Sequence, residues 1–220
     1  MLEFDSVGKV FRGGGQTVCA LDQVSFRVAA GEFATVRGPS GCGKSTLLLV
    51  AGGLLHPGAG TVRVAGIDPY ALSAARRAAF RAETVGFVFQ QFHLLPYLTV
   101  FDNVLAPTVA RKLPGARDKA NRLLERFGLV ERATHLPGEL STGEKQRTVH
   151  ARALLGDPKV LLADEPTGNL DEENGELVLQ ALADFAAGGG CVLMVTHDSQ
   201  AATKASRTLR LRAGRLVEEP

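Results

Sequence analysis

The residues whose types and spacing could do chemistry fall into three short segments. Gly38-Pro39-Ser40-Gly41-Cys42-Gly43-Lys44-Ser45, followed by Thr46, is a glycine-rich loop that ends in Lys-Ser. Such a loop wraps backbone N–H groups around phosphates, and glycines at 38, 41 and 43 allow the turns and the close approach. A helix beginning near Lys44 points its positive end at the same anion. Lys44 is expected to reach the β- and γ-phosphates, and the Ser45 hydroxyl to ligate Mg2+. Alone, this loop implies only that a nucleoside triphosphate binds. The second segment is the apolar run Val160–Ala163 followed by Asp164-Glu165. Neighbouring residues on a strand point to opposite sides. Asp164 is therefore expected to face the Mg2+ shell and Glu165 the attacking water, as general base. The third is Leu140-Ser141-Thr142-Gly143-Glu144, in which Ser141 and Glu144 have the spacing of a helix-capping box. Cys42 serves packing in one reading; in another, the helix N-terminus lowers its thiol pKa for redox work.

The elements that must carry these segments follow from periodicity. Strands are predicted at Leu2–Val10 and Asp22–Val28, with Gly13-Gly14-Gly15 as a flexible turn between them, then at Glu32–Arg37, Thr61–Val64 and Val85–Phe89. A helix over Ser45–Ala51 ends at Gly52-Gly53. Helical spacing recurs over Ala71–Arg81, Val100–Val109, Arg117–Phe127 and Ser141–Leu155. Strand and helix then alternate again: Val160–Ala163, Glu172–Ala186 and Val192–Thr196. Arg207–Arg212, a turn at Ala213-Gly214 and a strand from Arg215 follow. This predicts an α/β core built from both ends of the sequence, with a helical insertion between them. We read it as one domain over residues 1–220, with core and β lobe at about 1–90 and 157–220 and a helical lobe at about 91–156.

Composition narrows the class. Of 220 residues, 45% are hydrophobic, enough for a sizeable core. A net charge of +2 with scattered Lys and Arg does not point to nucleic acid. Arg76, Arg77 and Arg81 form the one local basic cluster, either a solvated helix face or a contact to acidic lipid or a partner. Cys19, Cys42 and Cys191 make neither a metal spacing nor a disulfide framework, which fits a reducing compartment. The first residues do not read as a signal peptide. The longest apolar stretch, Leu47–Leu55, is interrupted by Gly52 and Gly53 and falls well short of the roughly 20 residues that cross a bilayer.

Taken together, the segments resemble the ABC ATPases. Gly38–Ser45 looks like Walker A and Val160–Glu165 like Walker B, and Leu140–Glu144 resembles the family signature. Gln90 after Gly86-Phe-Val-Phe matches the Q-loop, Asn169-Leu170-Asp171 the D-loop, and His197 in Val195-Thr-His-Asp198 the switch histidine. Phe11 lies where the family places an aromatic against adenine; the alternative is a core aromatic on a strand. Gly86–Val100 and Asp164–Asp171 resemble the LolD/MacB/FtsE-like branch, which covers lipoprotein release, macrolide and peptide export and division-associated ATPases.

The resemblance implies a P-loop NTPase fold: a RecA-like core, an antiparallel β lobe and an α-helical signature lobe. It implies a head-to-tail homodimer holding two ATP molecules with Mg2+. Ser141, Gly143 and Glu144 of one copy would close over the γ-phosphate bound by the other, with Asp171 at the same interface. His197 would contact that phosphate and orient the water with Glu165. Gln90 would report Mg2+ and γ-phosphate occupancy to an integral-membrane permease of the MacB/FtsX/LolC type, docked between the lobes near Phe92–Tyr97. The chain would then sit on the cytoplasmic face of the inner membrane and drive export or extraction of a lipid-linked or amphipathic substrate. The alternative is a regulator of a membrane partner controlling cell-wall enzymes without transport. A soluble DNA-repair or translation ATPase fits less well, lacking a coiled-coil insertion, a second cassette and a basic patch. A small-molecule kinase would leave the signature helix without a job. Thr142 and Glu144 stand where the family usually has glycine and glutamine; a β-branched residue at 142 is costly if that position needs positive φ.

Overall fold

The computed structural model describes residues 1–13, 15–168, 170–198 and 202–217. Two sheets organise it. The smaller is antiparallel, in the order β2-β1-β4, from β1 (Leu2–Gly13), β2 (Gln16–Val28) and β4 (Ala59–Val64). The larger has the order β5-β6-β7-β3-β8-β9. Its strands are β3 (Phe33–Arg37), β5 (Val85–Val88), β6 (Val160–Asp164), β7 (Cys191–Val195), β8 (Arg207–Arg212) and β9 (Arg215–Val217). All its pairings are parallel except β8 with β9.

The central strands read as unbroken apolar runs because both of their faces are covered. Alternate residues enter different cores. Ala34, Val36, Val160, Leu162, Leu193 and Val195 join the β lobe and α1 (Lys44–Ala51) on one side. Phe33, Leu161, Ala163, Val192 and Met194 pack on the other side. There they meet α3 (Val100–Leu105), α4 (Ala116–Arg126), α5 (Thr142–Leu154) and α6 (Glu172–Ala187). Tertiary placement of α1 therefore follows from the strand that precedes it, and the loop between them is held over the C-terminal edge of the sheet.

Several boundaries differ from the sequence expectation. The first hairpin is longer, with β1 running past Val10 and β2 starting before Asp22, because Phe11 pairs with Val18 and Arg12 with Thr17. The turn expected at Gly13-Gly14-Gly15 includes Gly14, which lies outside the described residues. The helix expected from Ala71 is α2 (Ala74–Thr84), since Ser73 caps it and Pro69–Ala71 form a separate 3-10 turn. Helix α3 stops at Leu105 and tightens into a 3-10 turn over Ala106–Val109, where Pro107 has no N–H to continue the α pattern. Of the basic cluster on α2, Arg81 bonds the Gly53 carbonyl at 3.1 Å and Arg77 lies over the Tyr70 ring.

His150, in the middle of α5, was not singled out by sequence. It is 0% exposed and packs near Phe127. Its Nδ1 bonds the Gln146 carbonyl at 2.9 Å, while Nε2 is buried without a partner. Burial pushes its pKa down to about 4, against a smaller upward pull from the Gln146 carbonyl. The neutral form is thus favoured in the fold, so its stabilisation is complete above the unfolded value near 6.5 and declines as pH falls toward 4. The full effect is about 3 kcal/mol. His150→Leu is expected to flatten the acid decline of the melting temperature between pH 6.5 and 4; an unchanged pH profile would refute this.

Candidate nucleotide site

The loop between β3 and α1 is built by close packing. Gly43 has φ of 111°, and a Cβ there would lie 2.1 Å from the Ala20 carbonyl oxygen; a Cβ on Gly38 would meet the Leu211 carbonyl oxygen at the same distance. Only glycine admits both the left-handed geometry and the neighbouring backbone. The Lys44 ammonium turns back and donates to the carbonyls of Gly38 (2.7 Å) and Pro39 (3.1 Å). The loop is thereby held closed around the cation that a phosphate would draw away.

A cleft of about 430 Å3 opens beside this loop. Ser40, Gly41, Gly43, Lys44, Ser45 and Thr46 of the loop line it together with Gln90, Asp164, Glu165 and His197. Phe11, Val18 and Ala20 of the β lobe complete it. Phe11 is 43% exposed, with the Lys9 ammonium 5.5 Å from its ring centre, so it is not a core aromatic. Val18 and Ala20 lie on the part of β2 that precedes the strand expected from Asp22, so sequence alone does not place them here. Three loop positions, Gly38, Pro39 and Cys42, do not line the cleft. Gly38 and Pro39 border a neighbouring concavity, and Cys42 is 4% exposed and belongs to the core, which favours the packing reading.

Asp164 ends β6 as expected, with the Ser45 hydroxyl lining the same cleft. Burial raises its pKa, with the Ser45 hydroxyl pulling the other way. A half-buried carboxylate beside a hydroxyl is a hard-oxygen pair suited to Mg2+, which needs one or two protein oxygens when phosphates supply others. Glu165 corrects the alternation argument. The strand stops before it, its φ is 47°, and its N–H bonds the Val195 carbonyl at 2.9 Å. The backbone turn brings both carboxylates to the same cleft instead of opposite faces. Glu165 Oε1 lies 2.9 Å from His197 Nδ1, and Oε2 accepts from the Thr196 hydroxyl at 3.1 Å and the His197 N–H at 3.3 Å. Thr196, which sequence reasoning missed, anchors the carboxylate from the strand end.

Ser141, Gly143, Glu144 and Asp171 are not brought to this cleft. Ser141 caps α5: its hydroxyl accepts from the Glu144 N–H at 3.2 Å and its N–H donates to Glu144 Oε2 at 2.7 Å. Arg132 pairs with the other Glu144 oxygen at 2.7 Å. That bond, with those from Ser141, lowers the Glu144 pKa to about 2 against an upward push from burial. The extra negative charge relative to glutamine is thus answered locally. Thr142 is the first helical residue and does not have positive φ, so no β-branched strain arises there. Asp171 caps α6, accepting from the Asn174 N–H and side-chain amide at 2.8 Å. Those bonds, backbone first, hold its carboxyl below the usual range. Asn174 also accepts from Arg147 of α5, which ties the two helix starts together. Asn169, the other polar member of that turn, lies outside the described residues.

A phosphate loop after β3, two carboxylates at the end of β6, one strand removed across the sheet, and a histidine beside them define a nucleoside-triphosphate hydrolase. The family model described as ABC transporter matches residues 21–168, and the chain belongs to that family, as an ATP-hydrolysing cassette. The chain is 43% identical to the lipoprotein-releasing system ATP-binding protein LolD 1 of Rhodopirellula baltica, over 99% of this chain and 96% of that protein. It is 42% identical to the macrolide export ATP-binding/permease protein MacB 1/2 of Paracoccus denitrificans, over its whole length but only 33% of that longer protein. A solved dimer of the ATP-binding cassette MJ0796 in a post-hydrolysis state, bound to ADP and phosphate, superposes with a TM-score of 0.94. It is 36% identical, over 100% of this chain and 98% of that one.

Proposed function

We propose that this ABC ATP-binding subunit works as a head-to-tail homodimer coupled to an integral-membrane permease, and that it drives export or extraction of a lipid-linked or amphipathic substrate. The observation that carries the dimer is the separation of the two halves of the site. The cleft holds the phosphate loop, Gln90, Asp164, Glu165 and His197, whereas Ser141 and Gly143 open a helix elsewhere on the same chain. The positive end of α5 favours an anion beyond its own cap, and a second copy supplies one if each cleft faces the other's signature. Dimeric MJ0796 cassettes support that assembly. In this reading Lys44 and the loop amides bind the phosphates, Ser45, Asp164 and Gln90 hold Mg2+, and Glu165 takes the proton of the attacking water. His197 orients that water and touches the γ-phosphate, Phe11 stacks on the base, and Asp171 lies at the interface. Mg2+ would supply charge neutralisation at the phosphates.

The permease is supported by LolD- and MacB-type relatives and by exposed apolar residues after β5, where Tyr97 is 91% exposed and Leu95 48%. Among the described residues no helix is long and apolar enough to cross a membrane. We place the chain on the cytoplasmic face of the inner membrane, as one domain with a helical lobe at about 91–156. Ser141→Arg is the decisive test. Nucleotide binding by the monomer is expected to stay within threefold, and steady-state hydrolysis to fall at least tenfold as the signature can no longer receive phosphate. Undiminished hydrolysis would mean that the capping box is all that Ser141 provides.

A further inference from the structure

Gln90 reaches the nucleotide cleft from a stretch without regular structure. Strand β5 ends at Val88, and residues 89–99 lie outside every helix and strand. No sheet ladder therefore fixes where the Gln90 amide enters the cleft. Two side chains of neighbouring helices hold this stretch. Asn103 of α3 is 0% exposed and holds the far end. Its amide bonds the Leu95 and Leu98 carbonyls at 3.1 and 2.9 Å, and its oxygen accepts from the Leu95 N–H at 2.7 Å.

Arg152 of α5 holds the near end. Its Nη1 donates to the His93 carbonyl at 2.7 Å and its Nη2 to the Phe92 carbonyl at 2.9 Å. His93 has φ of 45°, a left-handed turn uncommon for a residue with a side chain, and the carbonyls flanking that turn are the two that Arg152 takes. The His93 ring also meets the Phe89 ring edge-on at 5.3 Å, and Phe89 stacks on Phe87 of β5 at 4.2 Å. Gln90 thus lies between two held points, Phe89 and Phe92. Arg152 is half-buried and, among the described residues, is paired with no carboxylate. Burial pulls its pKa below the ordinary arginine value. A guanidinium drawn out of water needs strong compensation, and two charge-assisted bonds to adjacent carbonyls provide it.

We infer that Arg152 is a positioning residue for Gln90: by gripping the chain two and three residues further on, it sets where the Gln90 amide enters the nucleotide cleft. The grip comes from the helix that begins at the Ser141 cap, roughly 16 Å away at 1.5 Å per residue. The placing of Gln90 is therefore tied, within one chain, to the placing of Ser141 and Gly143. The inference rests on the role proposed above for Gln90 at Mg2+.

The test titrates the full-length chain with a fluorescent, non-hydrolysable ATP analogue, in Mg2+ and again in EDTA. Gln90→Ala is expected to lower affinity at least about fivefold in Mg2+ and to leave it within about twofold in EDTA. Arg152→Met is expected to show the same split, with a loss of at least about threefold in Mg2+. In the Gln90→Ala background it is expected to add less than about twofold, as for two residues acting through one contact. Amide hydrogen exchange over residues 89–94 is expected to quicken in Arg152→Met, while residues 95–99, held by Asn103, keep their native rates. Should Arg152→Met fail to melt cooperatively, Arg152→Gln carries the same test, since its shorter amide cannot span both carbonyls. Equal losses in Mg2+ and EDTA would reduce Arg152 to general packing and overturn the inference. So would additive losses in the double variant, or native affinity in the Arg152 variants. A Gln90→Ala chain that loses nothing in Mg2+ would refute the metal role of Gln90 and the inference with it, a failure seen before Arg152 is changed.

Discussion

Glu165→Gln is expected to bind ATP with affinity near that of the native chain and to hydrolyse it at least about 100-fold more slowly, the usual contribution of a positioned general base. The geometry makes the substitution a clean one. Glu165 is held by three contacts, to His197 Nδ1, the Thr196 hydroxyl and the His197 N–H. A glutamine carbonyl can still accept from Thr196 and the backbone, and its amide can donate to the imidazole, so the side chain keeps its place while losing its basicity. Because the backbone at this residue is left-handed, with φ of 47°, a same-length replacement is safer than one that changes the Cβ environment. The trapped triphosphate is then expected to hold two chains together, and size-exclusion chromatography with Mg-ATP should show a dimer. Turnover within threefold of the native rate would assign the proton transfer to another group.

The residues proposed for hydrolysis were legible because their chemistry dictates local sequence. Gly43 must be glycine to pass the Ala20 carbonyl, and an apolar strand must precede Asp164 to place it at the sheet edge. What the sequence did not display were relationships set by register and turning. Whether Phe11 was a core aromatic or a cleft residue depended on how far the first hairpin extends, and that is fixed by its pairing with Val18. The direction of Glu165 depended on one left-handed residue where alternation was assumed to continue. The compatibility of Glu144 with an anion-binding helix start depended on Arg132, twelve positions earlier and joined to it only by the fold. Local rules give elements and end-of-strand chemistry, whereas partners across a sheet need the topology.

Lys44→Ala is expected to weaken ATP binding at least about 100-fold. In this structure the ammonium donates to the Gly38 and Pro39 carbonyls, at 2.7 and 3.1 Å. Two roles are therefore lost together: the tie to the Gly38 and Pro39 carbonyls and the charge proposed to meet the β- and γ-phosphates. A charged hydrogen bond contributes about 1.5–3 kcal/mol, equivalent to roughly 10- to 150-fold in affinity. The loop's glycine geometry and the start of α1 do not depend on the lysine, since Gly43 is fixed by the Ala20 backbone and the Leu47 N–H bonds the Gly43 carbonyl at 2.9 Å. The variant should consequently fold with an unchanged circular-dichroism spectrum while a fluorescent ATP analogue titrates far more weakly. Lys44→Arg separates the two roles, because it keeps the charge but carries a planar fork that does not fit the space of a compact ammonium. Recovery of affinity by arginine would show that charge alone suffices, and native affinity in the alanine variant would remove the phosphate loop from the site altogether.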